Sequence, residues 1–411
     1  FNKEGEFDQL SIFLYYLQQF IQFGLIVISV GENTNNFAKL IPCSLLFKFN
    51  NKEIDPDSLY VFSRFSYLRM NKQNFILESP LAYAHIELYD HEAIKIIGLL
   101  AEPNSVNSII SKVENLAPDK INGLFLLFLN IEAIVEQSSE GLNKEDKNET
   151  LVQWEFHDLL FHTRSRMGRH NQQSGAAYPF VGKIQPAPAL KQLPEGINIP
   201  LYRPNIEILK KEDVPFTYVL EERKSVRKYG EKHITKKELG EFLYRTARLR
   251  KLHPFKETEL YETSDRPYPN GGASYELELY IIVNDCEDIN RGIYYYDPKE
   301  HQLIQIESDE TYISALIDDA WLSAAKTVKP QILITISSRF KRLNWKYRSM
   351  GYAATLKNTG ALYQTMYLVA TAMNLAPCAL GNGNAELFSR AVGTDYLDES
   401  SVGEFMLGTI L

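Results

Sequence analysis

Arg223, Ser225 and Arg227 alternate within Arg223-Lys224-Ser225-Val226-Arg227-Lys228-Tyr229, at the entrance to the helical pattern 236–250. Two fork-shaped cations with a hydroxyl between them suit a phosphate. Downstream, Pro269-Asn270-Gly271-Gly272 sets two glycines in succession, and a backbone free of side chains can lie against a flat ring. A third block, Cys378-Ala379-Leu380-Gly381, offers a turn of small residues. Each is weak alone, because Arg-x-Ser-x-Arg is common on solvated surfaces and Gly-Gly usually marks only a turn. Their order along one chain carries the weight. Lys346-Tyr347 stands between Arg339-Phe340-Lys341-Arg342 and Arg348, and from composition alone it reads as a basic loop with an aromatic plug.

Other chemistries find less support. The eight histidines form neither a His-Glu-x-x-His helix nor a metal triad, and His157 and His162 are split across a helix face, so no metal is expected. No Gly-x-Ser-x-Gly occurs, which removes the usual serine nucleophile. Gly381-x-Gly383 lacks a third glycine at the spacing of a dinucleotide fingerprint.

The elements that must position these residues lie mostly after Phe216. Strands are expected at 276–283, 292–297, 331–337 and 403–411, with a buried helix at 351–373 that is apolar around most of its circumference. Helices and strands in such runs predict an α+β fold. Before this domain, Pro179, Pro186, Pro188, Pro194, Pro200, Pro204 and Pro215 preclude regular structure over 175–215. A long irregular stretch in a compact enzyme is usually a functional lid or a surface wrap. The polar run 137–150 reads as a solvated boundary and 151–169 as a helix.

Toward the N-terminus, Leu10, Phe13, Leu14, Leu17 and Ile21 share a helical face ahead of a strand at 25–30. Strand-like 67–70, 75–78 and 85–89 then precede helical patterns at 91–100, 106–116 and 121–135, the last repeating the apolar spacing of the first helix. This suggests two small winged-helix-like modules, 1–58 and 59–140, followed by linker, helix and wrap over 141–215 and the main domain over 216–411. Winged helices often bind DNA, yet 106–116 carries no arginine and the net charge is −8, so no nucleic-acid partner is expected. The same small fold can serve as a clamp that takes a peptide as an added strand, or as plain scaffolding.

Hydrophobic residues at 45% and charged residues at 23% describe a globular chain with a real core. Only Cys43, Cys286 and Cys378 occur, without metal or disulfide spacing. The apolar runs 23–30 and 124–129 fall short of the roughly 20 residues needed to span a bilayer, and no signal-peptide layout opens the chain. A cytoplasmic protein with no membrane partner is expected. Phe1 is no translational start, so further residues are expected before it.

The order of the three blocks resembles the nitroreductase-like flavoproteins, in which an Arg-x-Ser-x-Arg helix start, a Pro-Ser-Gly-Gly-like loop and a late Ala-(Leu/Ile)-Gly turn hold FMN. The segments 154–166, Pro269 to Tyr280, Asn344 to Arg348 and Val402 to Gly408 resemble a narrower subgroup, the SagB/McbC-type azoline dehydrogenases, and among these the stand-alone cyanobactin thiazoline oxidases. The resemblance implies FMN held by Arg223, Ser225, Arg227, Pro269, Asn270, Gly271, Gly272, Ala379, Leu380 and Gly381. It further implies a homodimer with FMN between subunits, and catalysis by Lys346 and Tyr347. The substrate would be an azoline-containing peptide whose thiazoline or oxazoline ring becomes an azole, with dioxygen recycling the flavin. Through the subgroup's Phe161-His162-x-Arg164-Ser165 signature, His162 and Arg164 would cap the active site, and the proline-rich stretch would approach it. Asn270 departs from the usual serine. A lysine base would need burial or cationic neighbours, such as Arg342 and Arg348, to lower its pKa. Two alternatives stand beside this reading: an NAD(P)H-driven nitro or quinone reductase, and a peptide-binding scaffold with an inactive flavin domain.

Overall fold

The computed structural model of the protein describes residues 3–22, 25–32, 35–51, 53–255 and 260–411. The chain divides into two compact units, 1–174 and 175–411. The expected boundaries at 140 and 215 fall elsewhere than this division.

In the first unit the helix Lys3–Gln22 precedes a five-stranded antiparallel sheet. Across the sheet the strands run Ile28–Glu32, Asn35–Pro42, Ala84–Leu88, Asn74–Glu78 and Tyr67–Asn71. Leu40 pairs with Ile86 and Leu77 with Ile86 on the other side. One core gathers Phe37, Leu40, Ile86, Ile96, Ile109 and Phe125 from strands and from the helices His91–Leu99, Val106–Lys112 and Pro118–Asn130. The stretches expected as separate modules on either side of residue 58 thus share a sheet and a core. A second small sheet pairs Leu59–Phe62 with Ile134–Gln137.

The second unit is built on a seven-stranded antiparallel sheet, in the order Leu375–Leu380, Glu399–Thr409, Ile332–Arg339, Leu277–Val283, Gly292–Asp297, Gln302–Ile306, Asn198–Pro200. The sequence LELYIIV of Leu277–Val283 is buried at every position. Successive side chains of a strand point to opposite faces, and here Leu277, Leu279 and Ile281 enter one core while Tyr280 and Ile282 enter another. The helices Lys236–Ala247 and Gly351–Ala372 contribute Phe242, Leu362 and Met366 to the first core. This is the expected α+β class; the four expected strands are found with ends shifted by a few residues at most, and Asn198–Pro200, Gln302–Ile306 and Leu375–Leu380 were not expected.

The helix Lys236–Ala247 begins where it does because Thr235 and Glu238 form a reciprocal capping box. Arg223, Ser225 and Arg227 therefore do not sit on the first turn of that helix. They lie in a segment without regular structure after the short helix Phe216–Glu222.

Candidate functional site

Gly272 has φ of +63°, a left-handed conformation that favours glycine. Ala273 and Tyr275 share this conformation at φ of +52° and +43°, so the loop is strained and needs outside support. Asn270 provides part of it: its Oδ1 accepts the Tyr275 N–H at 2.9 Å and its Nδ2 donates to Glu276 at 2.9 Å. Asn358, on the helix Gly351–Ala372, accepts the Gly271 N–H at 2.9 Å and donates to the other Glu276 oxygen at 2.8 Å. Glu276 is fully buried. Burial pushes its carboxyl upward against the two amides that favour its charged form. Arg342 completes the support by donating to the Ser274 carbonyl at 2.7 Å.

Against this loop stand Lys346 and Tyr347. A Cβ at Gly272 would collide with both the Lys346 ammonium and the Tyr347 hydroxyl, so the two side chains converge on one point although they are neighbours in sequence. The backbone turn that allows this lies between the helix Phe340–Asn344 and the short strand Tyr347–Arg348. That strand pairs with Gly175–Ala176, and the Tyr178 N–H donates to the Lys346 carbonyl at 2.9 Å. The start of the proline-rich stretch therefore lies beside Lys346. Further along, the carbonyls of Ile184, Ala187 and Pro188 accept from Trp345, Arg342 and Arg339.

Lys346 is 8% exposed. Its Nζ donates to the Tyr261 hydroxyl at 2.7 Å and to the Gly272 carbonyl at 3.3 Å. Burial pulls its pKa down, but the Tyr261 hydroxyl and the tyrosines 261, 347 and 178 outweigh this and hold it above the ordinary lysine value. The expected lowering by Arg342 is absent because that guanidinium points to backbone carbonyls, and it is itself pushed down to about 10 by burial and by Arg339. Tyr347 is also raised, by burial, with Lys346 opposing.

A second cluster forms at Tyr367 of the same long helix. The Ser225 and Tyr367 hydroxyls are 2.7 Å apart, and the Ala379 N–H donates to Tyr367 at 2.8 Å. The Arg223 guanidinium lies 5.4 Å from the ring centroid of Tyr367. Val226 N–H donates to the Pro377 carbonyl. The Arg-Ser-Arg segment is thus joined to Ala379, which with Leu380 ends the strand Leu375–Leu380 instead of forming the expected turn. Cys378 is buried, and its thiol is raised by that burial while Arg227 and Ser225 oppose. Neither Arg223 nor Arg227 forms an ion pair with a carboxylate among the described residues, which leaves two cations for an external anion.

Tyr367 lies nine positions after Asn358. At about 100° per residue the two side chains leave the helix on roughly opposite sides. One chain therefore presents the glycine loop with Lys346 and Tyr347 on one side of this helix and the Arg-Ser-Arg cluster on the other.

Tyr261, Glu276, Asn358 and Tyr367 were not singled out in the sequence. Asn358 and Tyr367 are polar positions inside an apolar helical pattern, which is a usable signal, whereas nothing local marks Tyr261. In the first unit, Arg164 is held by the Glu78 carboxylate and donates to the Tyr67 hydroxyl at 2.8 Å. His162 stacks on Trp154 at 5.9 Å. Among the described residues no group of three His, Cys, Asp or Glu could hold a metal ion, and no helix is long and apolar enough to cross a membrane.

Residues 60–171 match the family model of the cyanobactin oxidase ThcOx, and residues 220–409 match the nitroreductase family. A protein of Methanocaldococcus jannaschii named as a nitroreductase is 28% identical over 45% of this chain and 85% of its own length. The microcin B17-processing protein McbC of Escherichia coli is 31% identical over 27% of this chain and 42% of its own length. The trifolitoxin-processing protein TfxB of Rhizobium leguminosarum is 28% identical over 28% of this chain, and the match spans only a third of that protein, 33%. A solved E. coli microcin synthetase McbBCD complex with truncated pro-MccB17 overlaps 50% of this chain and 81% of its own, with 20% identity and a TM-score of 0.37. An overlap that loose carries no argument.

Proposed function

We propose that this chain, which joins a cyanobactin-oxidase segment to a nitroreductase domain and is homologous to McbC and TfxB, is an oxidoreductase that matures a ribosomally made peptide by converting azoline rings to azoles. The observation that carries the reading is the convergence of Lys346 and Tyr347 on Gly272, where an amine and a phenol meet a bare stretch of backbone. Dehydrogenation of a thiazoline or oxazoline removes a proton from the α-carbon and a hydride from the adjacent ring carbon, leaving a ring double bond. Lys346 and Tyr347 would take and hold the proton.

The donor set fits FMN. Arg223, Ser225 and Arg227 would hold its phosphate, Pro269, Asn270, Gly271 and Gly272 would lie beside the ring, and Ala379, Leu380 and Gly381 would approach from the other side. When bound, FMN supplies the acceptor for the two electrons, with dioxygen as the final acceptor. Because the two clusters leave the helix Gly351–Ala372 on opposite sides, a site assembled from the loop of one subunit and the arginines of another is supported, and hence a homodimer. In this reading the first unit serves peptide capture, with winged-helix ancestry, and the protein works in the cytoplasm.

Incubating the purified protein with a thiazoline-containing peptide and measuring peptide mass tests the reading: each azole formed removes two hydrogens. An unchanged mass with flavin-loaded protein and dioxygen present would reject it. The M. jannaschii match, which spans most of that protein, favours a second reading, an NAD(P)H-driven nitro or quinone reductase. Consumption of NAD(P)H in the presence of those acceptors, with no change in the peptide, would select it.

A further inference from the structure

Tyr261 lies just ahead of the strand Thr263–Asp265, is buried, and points its hydroxyl into the space between Lys346 and the glycine loop. The hydroxyl donates to the Gly272 carbonyl at 2.9 Å, accepts from Lys346 Nζ at 2.7 Å and stands 3.3 Å from the Ser274 hydroxyl. The ring cannot swing away. Trp345 packs against it at 5.9 Å between centroids and the Arg342 guanidinium lies 5.2 Å from its centroid.

We infer that Tyr261 is a positioning residue for proton transfer, holding the Lys346 nitrogen over Gly272 as a hydrogen-bond acceptor that is itself fixed on the glycine loop. The inference rests on the reading of Lys346 as a proton-transfer group. A lysine side chain has several freely turning bonds, so without a fixed acceptor its nitrogen would sample many positions. The same contact favours the ammonium form. The groups that surround the pair have assigned engagements: Tyr347 and Tyr178 flank Nζ, Arg342 is turned to the carbonyls of Ser274, Ala187 and Glu262, the Glu262 carboxylate accepts the Ala189 N–H, and Glu276 is held by two amides. Of these the Tyr347 hydroxyl also meets Nζ, but it is the Tyr261 hydroxyl that both accepts from Nζ and donates to the glycine loop.

The test treats the full chain and Tyr261→Phe with acetic anhydride over a pH series and reads modification of each lysine by peptide mass spectrometry, with exposed Lys251 as internal reference. In the unaltered protein Lys346 should react at higher pH than Lys251. In Tyr261→Phe its midpoint should fall by about one pH unit, a tenfold gain in free amine. On a thiazoline peptide the rising limb of kcat against pH should fall in step, with KM kept within about twofold. Lys346 reacting like Lys251, or a midpoint that Tyr261→Phe leaves in place, overturns the inference. A midpoint that moves while the kcat limb stays fixed keeps the contact but rejects Lys346 as the proton-transfer group, so the two failures are distinguishable. The comparison of Lys346 with Lys251 needs no variant and stands even if Tyr261→Phe does not fold.

Discussion

At the scale of single residues, Lys346 and Tyr347 show how much a two-residue word conceals. From composition the pair reads as a surface loop, and the family resemblance raises it to a candidate. The fold adds that Lys346 is nearly buried and that both side chains meet at Gly272. The expected sign of the lysine shift came out reversed, because its nearest partner is a tyrosine hydroxyl and the neighbouring arginine is spent on carbonyls. Tertiary contacts of this kind leave no local trace. Lys346→Ala and Tyr347→Phe should each lower azole formation by about 10² to 10⁴-fold while the protein keeps its flavin. Near-normal turnover in either flavin-loaded variant would remove that residue from the mechanism. Both groups are held above their ordinary values, and a base works only when deprotonated. The rate should therefore keep rising with pH into the alkaline range, and a plateau reached below neutrality would contradict either residue as base.

At the scale of elements, strands and helices were legible wherever a period was strong. LELYIIV and the apolar 351–372 were found to within a few residues, since burial on both sides leaves a plain apolar run. The start of Lys236–Ala247 falls where the pattern 236–250 begins, fixed by the capping box at Thr235 and Glu238, and only its end comes a few residues early. The helix Phe156–Ser165 illustrates a contact that spacing cannot reveal. Its Arg164 meets Glu78, a buried carboxylate also bound by Arg69 at 2.7 Å and by the Tyr67 hydroxyl at 2.6 Å. Burial alone would raise Glu78, but Arg69, Tyr67 and Arg164 reverse this and hold it at about 2, against an ordinary 4.5. A depressed carboxylate stabilises the fold above its unfolded value, and that contribution is lost as pH falls from about 4.5 to about 2. With the arginines partly exposed, the contribution is on the order of 2 kcal/mol. Glu78→Gln should lower the melting temperature at neutral pH and flatten its dependence on pH over that acid window. An undiminished acid dependence would show that other carboxylates govern it.

For the molecule as a whole, the long helix Gly351–Ala372 carries an exposed stripe in which Tyr352 is 49% and Leu356 40% exposed, followed by Gly360, whose missing Cβ would touch nothing. A stripe with large apolar residues beside a glycine allows a second copy to approach closely. Under the proposed two-subunit site, Leu356→Glu should convert a dimer to a monomer in gel filtration and release the flavin with it. A monomeric variant that retains its flavin would place the whole cofactor site within one chain. The grouping of residues 1–174 was the least legible part of the sequence. A strand at 35–42 finds its partner at 84–88 past three intervening strands, and pairing over such distance is set by a shared core, not by local pattern.

The strand Glu399–Thr409 lies inside the seven-stranded sheet, paired with Ile332–Arg339 on one side and Leu375–Leu380 on the other. During synthesis the strand 375–380 is therefore made before the neighbour that joins it to the sheet. Until residues 399–409 leave the ribosome, the apolar faces of the flanking strands have no partner between them. The nascent chain must wait with open strand edges, which are templates for aggregation. Slow translation after residue 380, or a chain cut before 399, would thus leave the edge of Ile332–Arg339 open and the strand Leu375–Leu380 outside the sheet.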